Sequence, residues 1–174
     1  MENNKPLVNR VAASGLITIN LEDFFPTEEV VVFDIKDFLY MELMLKEKDF
    51  RASLKAHDWE QYKGKHLLVY CSTDAIVPVW AFMLVAAYAT PYATSIFNGE
   101  ATSFYQQVFH QALANFEAAE YEAQRIVIKG CSNKPVPVSA YVELTRLLQP
   151  YAKSIMYGEP CSTVPIFKRP RKIG

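Results

Sequence analysis

Val77–Glu100 reads VPVWAFMLVAAYATPYATSIFNGE, and further along Val136–Glu159 reads VPVSAYVELTRLLQPYAKSIMYGE. Laid over one another without a gap, 11 of the 24 positions are identical, where chance would leave roughly one or two. The identities fall at the front, as Val-Pro-Val and Ala, and at the back, as Pro-Tyr-Ala, Ser-Ile and Gly-Glu. A one-residue slip also brings CST at Cys71 over CSN at Cys131, each directly behind an apolar run, HLLVY and RIVIK. The pattern reads as an internal duplication in which each copy contains strand, loop, helix and strand.

The element boundaries follow from residue chemistry. His66–Tyr70 and Arg125–Lys129 are short β-rich runs. Helices are expected to begin near Pro78 and Pro137, where a missing N–H is harmless, and to stop by Pro91 and Pro150. Thr94–Asn98 and Lys153–Tyr157 return as strands, and Ser103–Phe116 has the near-helical apolar spacing of a connecting helix. The expected fold is α/β: a tandem βαβ duplication giving a mainly parallel four-stranded sheet with helices on its faces. Its first strands should lie side by side at a central switch point. Ahead of them EEVVVFDIKDFLY is strand-like and KEKDFRASLKAHDW has helical spacing at Phe50, Leu54 and Trp59, so a β-rich N-terminal cap is expected. The chain then divides as one domain, 1–174: cap 1–60, first copy 61–100, connecting helix 101–120, second copy 121–160, and a basic C-terminal segment 161–174.

The two repeat helices differ. The second sets Glu143, Arg146 and Gln149 opposite Tyr141, Leu144 and Leu148, so one face meets water. The first, VWAFMLVAAY, is apolar all round. Its outer face is expected to lie under the N-terminal cap, with a homodimer as the alternative.

Composition narrows the class. An apolar content of 51%, a charged content of 21% and a net charge of -1 describe a globular chain of 174 residues with room for a full core. No nucleic-acid partner is expected, and KRPRKIG at the end reads as a solvated tail. Ile76–Ala93 is the most apolar stretch, but its bracketing prolines leave a helix of roughly 20 Å against the ~30 Å of a bilayer core. It reads as a core helix, and no membrane association is expected. The start, MENNKPLVNRVAASG, has no secretory pattern. A cytoplasmic setting follows, in which three cysteines are thiols, ligands or reactive groups rather than a disulfide framework.

Those cysteines carry the functional expectation. In a parallel sheet the loops leaving the carboxyl ends of the strands open on one edge, and neighbouring strands lie ~4.8 Å apart. Cys71 and Cys131 should therefore face one crevice, and Cys161, in YGEPCSTVP after the last parallel strand, should join them. All three precede a serine, whose hydroxyl can donate to a thiolate. Three thiolates fill three corners of a tetrahedral zinc site or hold most of an iron–sulfur cluster. Asp74, in CSTD, is the nearest carboxylate for the fourth position; His57, His66 and His110 are less well placed. No phosphate-binding glycine motif occurs.

The stretches CSTDAIVPVWA, KGCSNKPVPVSAYVELTR and KSIMYGEPCSTVP, with NRVAASGLITINLEDFFP near the start, are similar to the family known as domain of unknown function 2480, over about Val8 to Phe167. The resemblance implies a Bacteroidetes protein with no assigned activity, encoded near iron–sulfur assembly components, and hence assembly proteins as partners. The reading that results is a metal-binding protein with Cys71, Cys131, Cys161 and Asp74 as ligands, zinc first and an iron–sulfur cluster second. A thiol enzyme or sulfur carrier using one cysteine is the first alternative, and a structural or adaptor protein with inert cysteines the second.

Overall fold

A computed structural model describes residues 15–130 and 133–170 of the chain. Seven strands and four α-helices divide between two compact units, one formed by 26–104 and the other by the segments to either side of it.

β1 covers Leu16–Asn20; the inserted unit is built on a three-stranded parallel sheet in the order β2 (Val30–Asp34), β3 (His66–Tyr70) and β4 (Ser95–Asn98). β3 is the middle strand, and HLLVY is the near-continuous apolar run that a strand covered on both faces requires. Helix α1 (Glu47–Ala56) buries Phe50 and Leu54, one turn apart, and α2 (Val79–Ala89) buries Ala81, Val85 and Ala89 at four-residue spacing. These meet Phe33, Ile35, Leu67 and Val69 in one core. Small residues on the inward line of α2 let its backbone approach the other elements closely. Trp59 closes the same core, stacked near-parallel on Phe33 at 5.5 Å and donating its indole N–H to the Leu54 carbonyl at 2.8 Å.

The second unit carries a four-stranded sheet in the order β1 (Leu16–Asn20), β5 (Arg125–Lys129), β6 (Ser154–Glu159), β7 (Ser162–Lys168). The first three are parallel, and β7 returns antiparallel to β6. Helix α4 (Val138–Leu148) turns Ala140, Leu144 and Leu148 inward. They join Ile19, Ile126, Ile128 and Ile155 of the sheet and Phe109 and Leu113 of α3 (Ala101–Ala114) in a core of their own.

Local elements fall where residue chemistry places them. β3 and β5 occupy the expected residues, and α2 and α4 begin directly after Pro78 and Pro137, which serve as their N-caps. Their assembly differs from the expectation. The four repeat strands do not form one sheet: β3 and β4 lie in the three-stranded sheet, β5 and β6 in the other. The residues expected to form a cap instead supply one strand to each sheet, β2 beside β3 and β1 beside β5. Each takes the neighbouring position that the other repeat's first strand was expected to fill, so no switch point forms between β3 and β5.

The outer face of α2 also departs from expectation. Val79 and Met83 are 75% and 67% exposed, and Ile76 just ahead of the helix is 90% exposed. Among the described residues, the N-terminal ones leave this line open to solvent. Among the described residues, no helix is long and apolar enough to cross a membrane.

The two sides of α2 and its unit should respond oppositely to substitution. Leu67→Ala empties a fully buried site and is expected to cost about 2–5 kcal/mol. Met83→Glu, in solvent, should stay within about 0.5 kcal/mol. Urea unfolding of the two variants checks both; a large loss for Met83→Glu would mean that its side chain is packed in solution.

Candidate functional site

The carboxyl ends of the central strands are held by short polar clasps. In the three-stranded unit β2 ends at Asp34, whose Oδ1 accepts the amide of Lys36 at 3.0 Å and caps the 3-10 turn Ile35–Phe38. The same oxygen accepts the amide of Ser72 at 3.1 Å, tying the loop after β3 to the end of β2. The four-stranded unit does this with different groups. Asn20 caps the 3-10 turn Leu21–Phe24 by accepting the Glu22 amide at 3.2 Å, and Glu22 Oε1 accepts the amide of Asn133 at 3.1 Å in the loop after β5. Gly130, at φ +141°, lets that loop pass the turn closely: a Cβ there would stand 3.0 Å from the Leu21 Cβ.

Partial burial pushes the Asp34 carboxyl up, but hydrogen bonds from Ser72 and Lys36, with the Lys36 ammonium 3.6 Å away, hold it below its ordinary range.

Among the described residues, the proposed ligands do not come together as a metal centre. Cys71 follows β3 in the three-stranded unit, half-buried, its Sγ 3.3 Å from Thr73 Oγ1. Asp74 is exposed and lines a cavity of about 510 Å3 with Met41, Leu43, Thr73 and Ile76. Cys161 is exposed at the turn between β6 and β7, in the other unit. Cys131 lies outside the described residues. Among the described residues no group of three His, Cys, Asp or Glu side chains could hold a metal ion. The three-cysteine metal-binding reading, with its zinc and iron–sulfur variants, is overturned on that ground. Its physical premise was one sheet with one carboxyl edge, whereas the strands leading to Cys71 and Cys161 belong to two sheets.

The histidines serve other contacts. His57 Nε2 lies 2.8 Å from the Tyr62 hydroxyl within a ring of aromatic side chains, and burial pushes its pKa down. His66 Nδ1 lies 2.7 Å from Ser95 Oγ across β3 and β4. His110 meets Glu143 at 3.0 Å.

A different feature stands out in the four-stranded unit: an apolar groove of about 640 Å3 beside α4. Val138, Val142 and Thr145 of α4 form one wall, Ile128, Met156 and Tyr157 of β5 and β6 contribute the sheet side, and Ile166 comes from β7. Among the described residues, no charged one lines it. Val142 is 64% and Ile166 52% exposed, so this apolar surface is open to solvent. Two contacts shape it. The Tyr141 hydroxyl donates to the Gly130 carbonyl and pins α4 to the end of β5. The β6–β7 hairpin closes over Gly158, at φ +120°, where a Cβ would meet the Ser162 carbonyl oxygen at 2.6 Å. Setting Glu143, Arg146 and Gln149 against Tyr141, Leu144 and Leu148 divides α4 into one wet and one dry face and hides the groove. The available signal was Val138 and Val142, one turn apart on the side away from Leu144 and Leu148.

The chain belongs to the family described as "Protein of unknown function (DUF2480)", which matches residues 5–169. No curated protein and no solved structure matches it.

The clasp at Asp34 gives a pH-dependent expectation. Asp34→Ala removes the cap and is expected to cost about 1 kcal/mol at pH 7, whereas Asp34→Asn keeps the acceptor and should lose only a few tenths. A carboxyl whose folded pKa is depressed stabilises the fold above its unfolded value of ~3.9, and that contribution is lost as pH falls through the folded pKa. The advantage of the native chain over Asp34→Asn should therefore shrink between pH 7 and pH 3 in urea unfolding. An advantage that grows toward acid would contradict the clasp.

Proposed function

We propose that this chain is a binding module whose working surface is the groove beside α4, and that its ligand is a small uncharged molecule with an aliphatic body and a hydroxyl-like end. The single observation behind this reading is an uncharged, solvent-open concavity of about 640 Å3 walled by aliphatic and aromatic side chains. Its size falls within the ~300–1,000 Å3 of small-molecule sites, which are mostly apolar with a few polar groups to fix orientation. Burying a charge against such walls without a partner is costly, which argues for a neutral ligand. Thr145, Tyr141 and Tyr157 are the hydroxyl-bearing residues of the lining.

Two further elements belong to the same reading. The tandem duplication extends to the N-terminal strands: TINLEDFF and VFDIKDFL each run from a strand through a capping Asn or Asp into a 3-10 turn with a fully buried aliphatic residue, Leu21 or Ile35. Each copy would then own a strand, a capped turn and a βαβ unit. Only the second copy gained β7, and with it the far wall of the groove. A cytoplasmic setting, where unpaired thiols persist, completes the reading.

Decanol is a suitable probe. Methyl chemical shifts of Val138, Val142 and Ile166 should move on titration while those of Leu54 and Val85 in the other unit do not. Val142→Glu, at an exposed position, should keep the fold and weaken binding about tenfold or more. Shifts spread evenly over both units, or unchanged binding by Val142→Glu, would refute the groove as a ligand site.

A further inference from the structure

A second concavity in the four-stranded unit has the opposite character. The amino ends of β5 and β6 and the last residues of β7 enclose about 430 Å3 lined by Arg125, Lys153, Lys168, Arg169 and Ser154, over a floor of Met156, Pro165 and Phe167. Among the described residues, four cations line this pocket and no carboxylate does. Like charges gathered in one concave site repel, and an anion bound among them relieves the repulsion.

Arg169 is fixed in place. Its Nε donates to the Ala152 carbonyl and its Nη2 to those of Gln149 and Pro150, at the end of α4. Carbonyls beyond a helix C-terminus favour a cation there. These bonds occupy three of the five N–H donors of a guanidinium and leave the Nη1 pair. Among the described residues, neither Lys153 nor Lys168 takes part in an ion pair.

The other unit supplies an internal comparison. At the matching ends of its strands, β3 starts with His66 and β4 with Ser95, where β5 and β6 start with Arg125 and Ser154. There the basic groups are met by two acids just ahead of β2: Lys65 lies 2.8 Å from Glu29, and His66 3.5 Å from Glu28. Ahead of β1 the chain reads Ser14-Gly15, with no acid at the matching positions.

We infer that this pocket is a binding site for a small organic phosphate, the phosphate held by Lys153, Lys168, the Arg169 Nη1 and the Ser154 hydroxyl, the carbon part resting on Met156, Pro165 and Phe167. A phosphate presents more charge and more acceptor oxygens than a carboxylate, and a planar guanidinium matches its geometry. The concave shape and apolar floor suit a small ligand better than the flat surface of a membrane or the extended backbone of a nucleic acid. None of this depends on the groove beside α4 having a ligand.

Phenyl phosphate, with inorganic phosphate and benzyl alcohol for comparison, tests the assignment by calorimetric titration of the full chain. Phenyl phosphate should bind most tightly, inorganic phosphate more weakly and benzyl alcohol not at all. Lys153→Gln and Lys168→Gln alter exposed side chains, and each should raise the Kd for phenyl phosphate about tenfold while circular dichroism stays unchanged. Absence of heat with phenyl phosphate, equal binding by the doubly substituted chain, or retention only on phosphatidylserine vesicles would overturn the proposal, the last in favour of a lipid surface.

Discussion

A strand in the interior of a parallel sheet has to pair its backbone groups on both sides. β3 and β5 are such strands: each has an apolar, buried run of three residues at its centre. An unpaired ladder there would leave buried N–H and C=O groups without partners. Each repeat brings its own second strand, β4 or β6, to one side. The other side is taken by β2 and β1 from the N-terminal region, which is why that region enters the sheets instead of capping them.

This arrangement governs where the polar groups go. Because β2 lies beside β3, Asp34 can cap its own turn and receive the Ser72 amide with one oxygen. Because β1 lies beside β5, the Leu21–Phe24 turn sits against Gly130, and Glu22 reaches the following loop. The loops after β3 and β5 are thus anchored to local partners within their own units. The expected thiolate cluster called for loops on one edge of one sheet, and the strands leading to Cys71 and Cys161 belong to two sheets.

The units diverge where packing leaves them free to do so. Their buried positions match closely: Ala81, Val85 and Ala89 correspond to Ala140, Leu144 and Leu148, each set facing its own core. Outside the cores the differences accumulate. β7 adds an antiparallel strand to one sheet only, with Pro165 and a bulge that discourage further strand pairing at that edge. It extends the sheet beyond α4 and leaves an apolar concavity on one side, while its last residues bring Lys168 and Arg169 to the amino ends of β5 and β6.

By itself, the sequence determined the local elements. HLLVY and RIVIK are strands because their composition suits a doubly covered position, and VPV starts a helix because proline is tolerated at that end. These are short-range preferences, settled within a few residues. Which strand lies beside which was decided only by tertiary structure, since LITIN and VVVFD are each compatible with any apolar neighbour, and strand pairing is a long-range choice made by the packed core. The candidate sites share that origin. Val142 and Ile166, or Arg125 and Arg169, are far apart in the chain and become one surface through the order β5–β6–β7, which residue patterns alone do not encode.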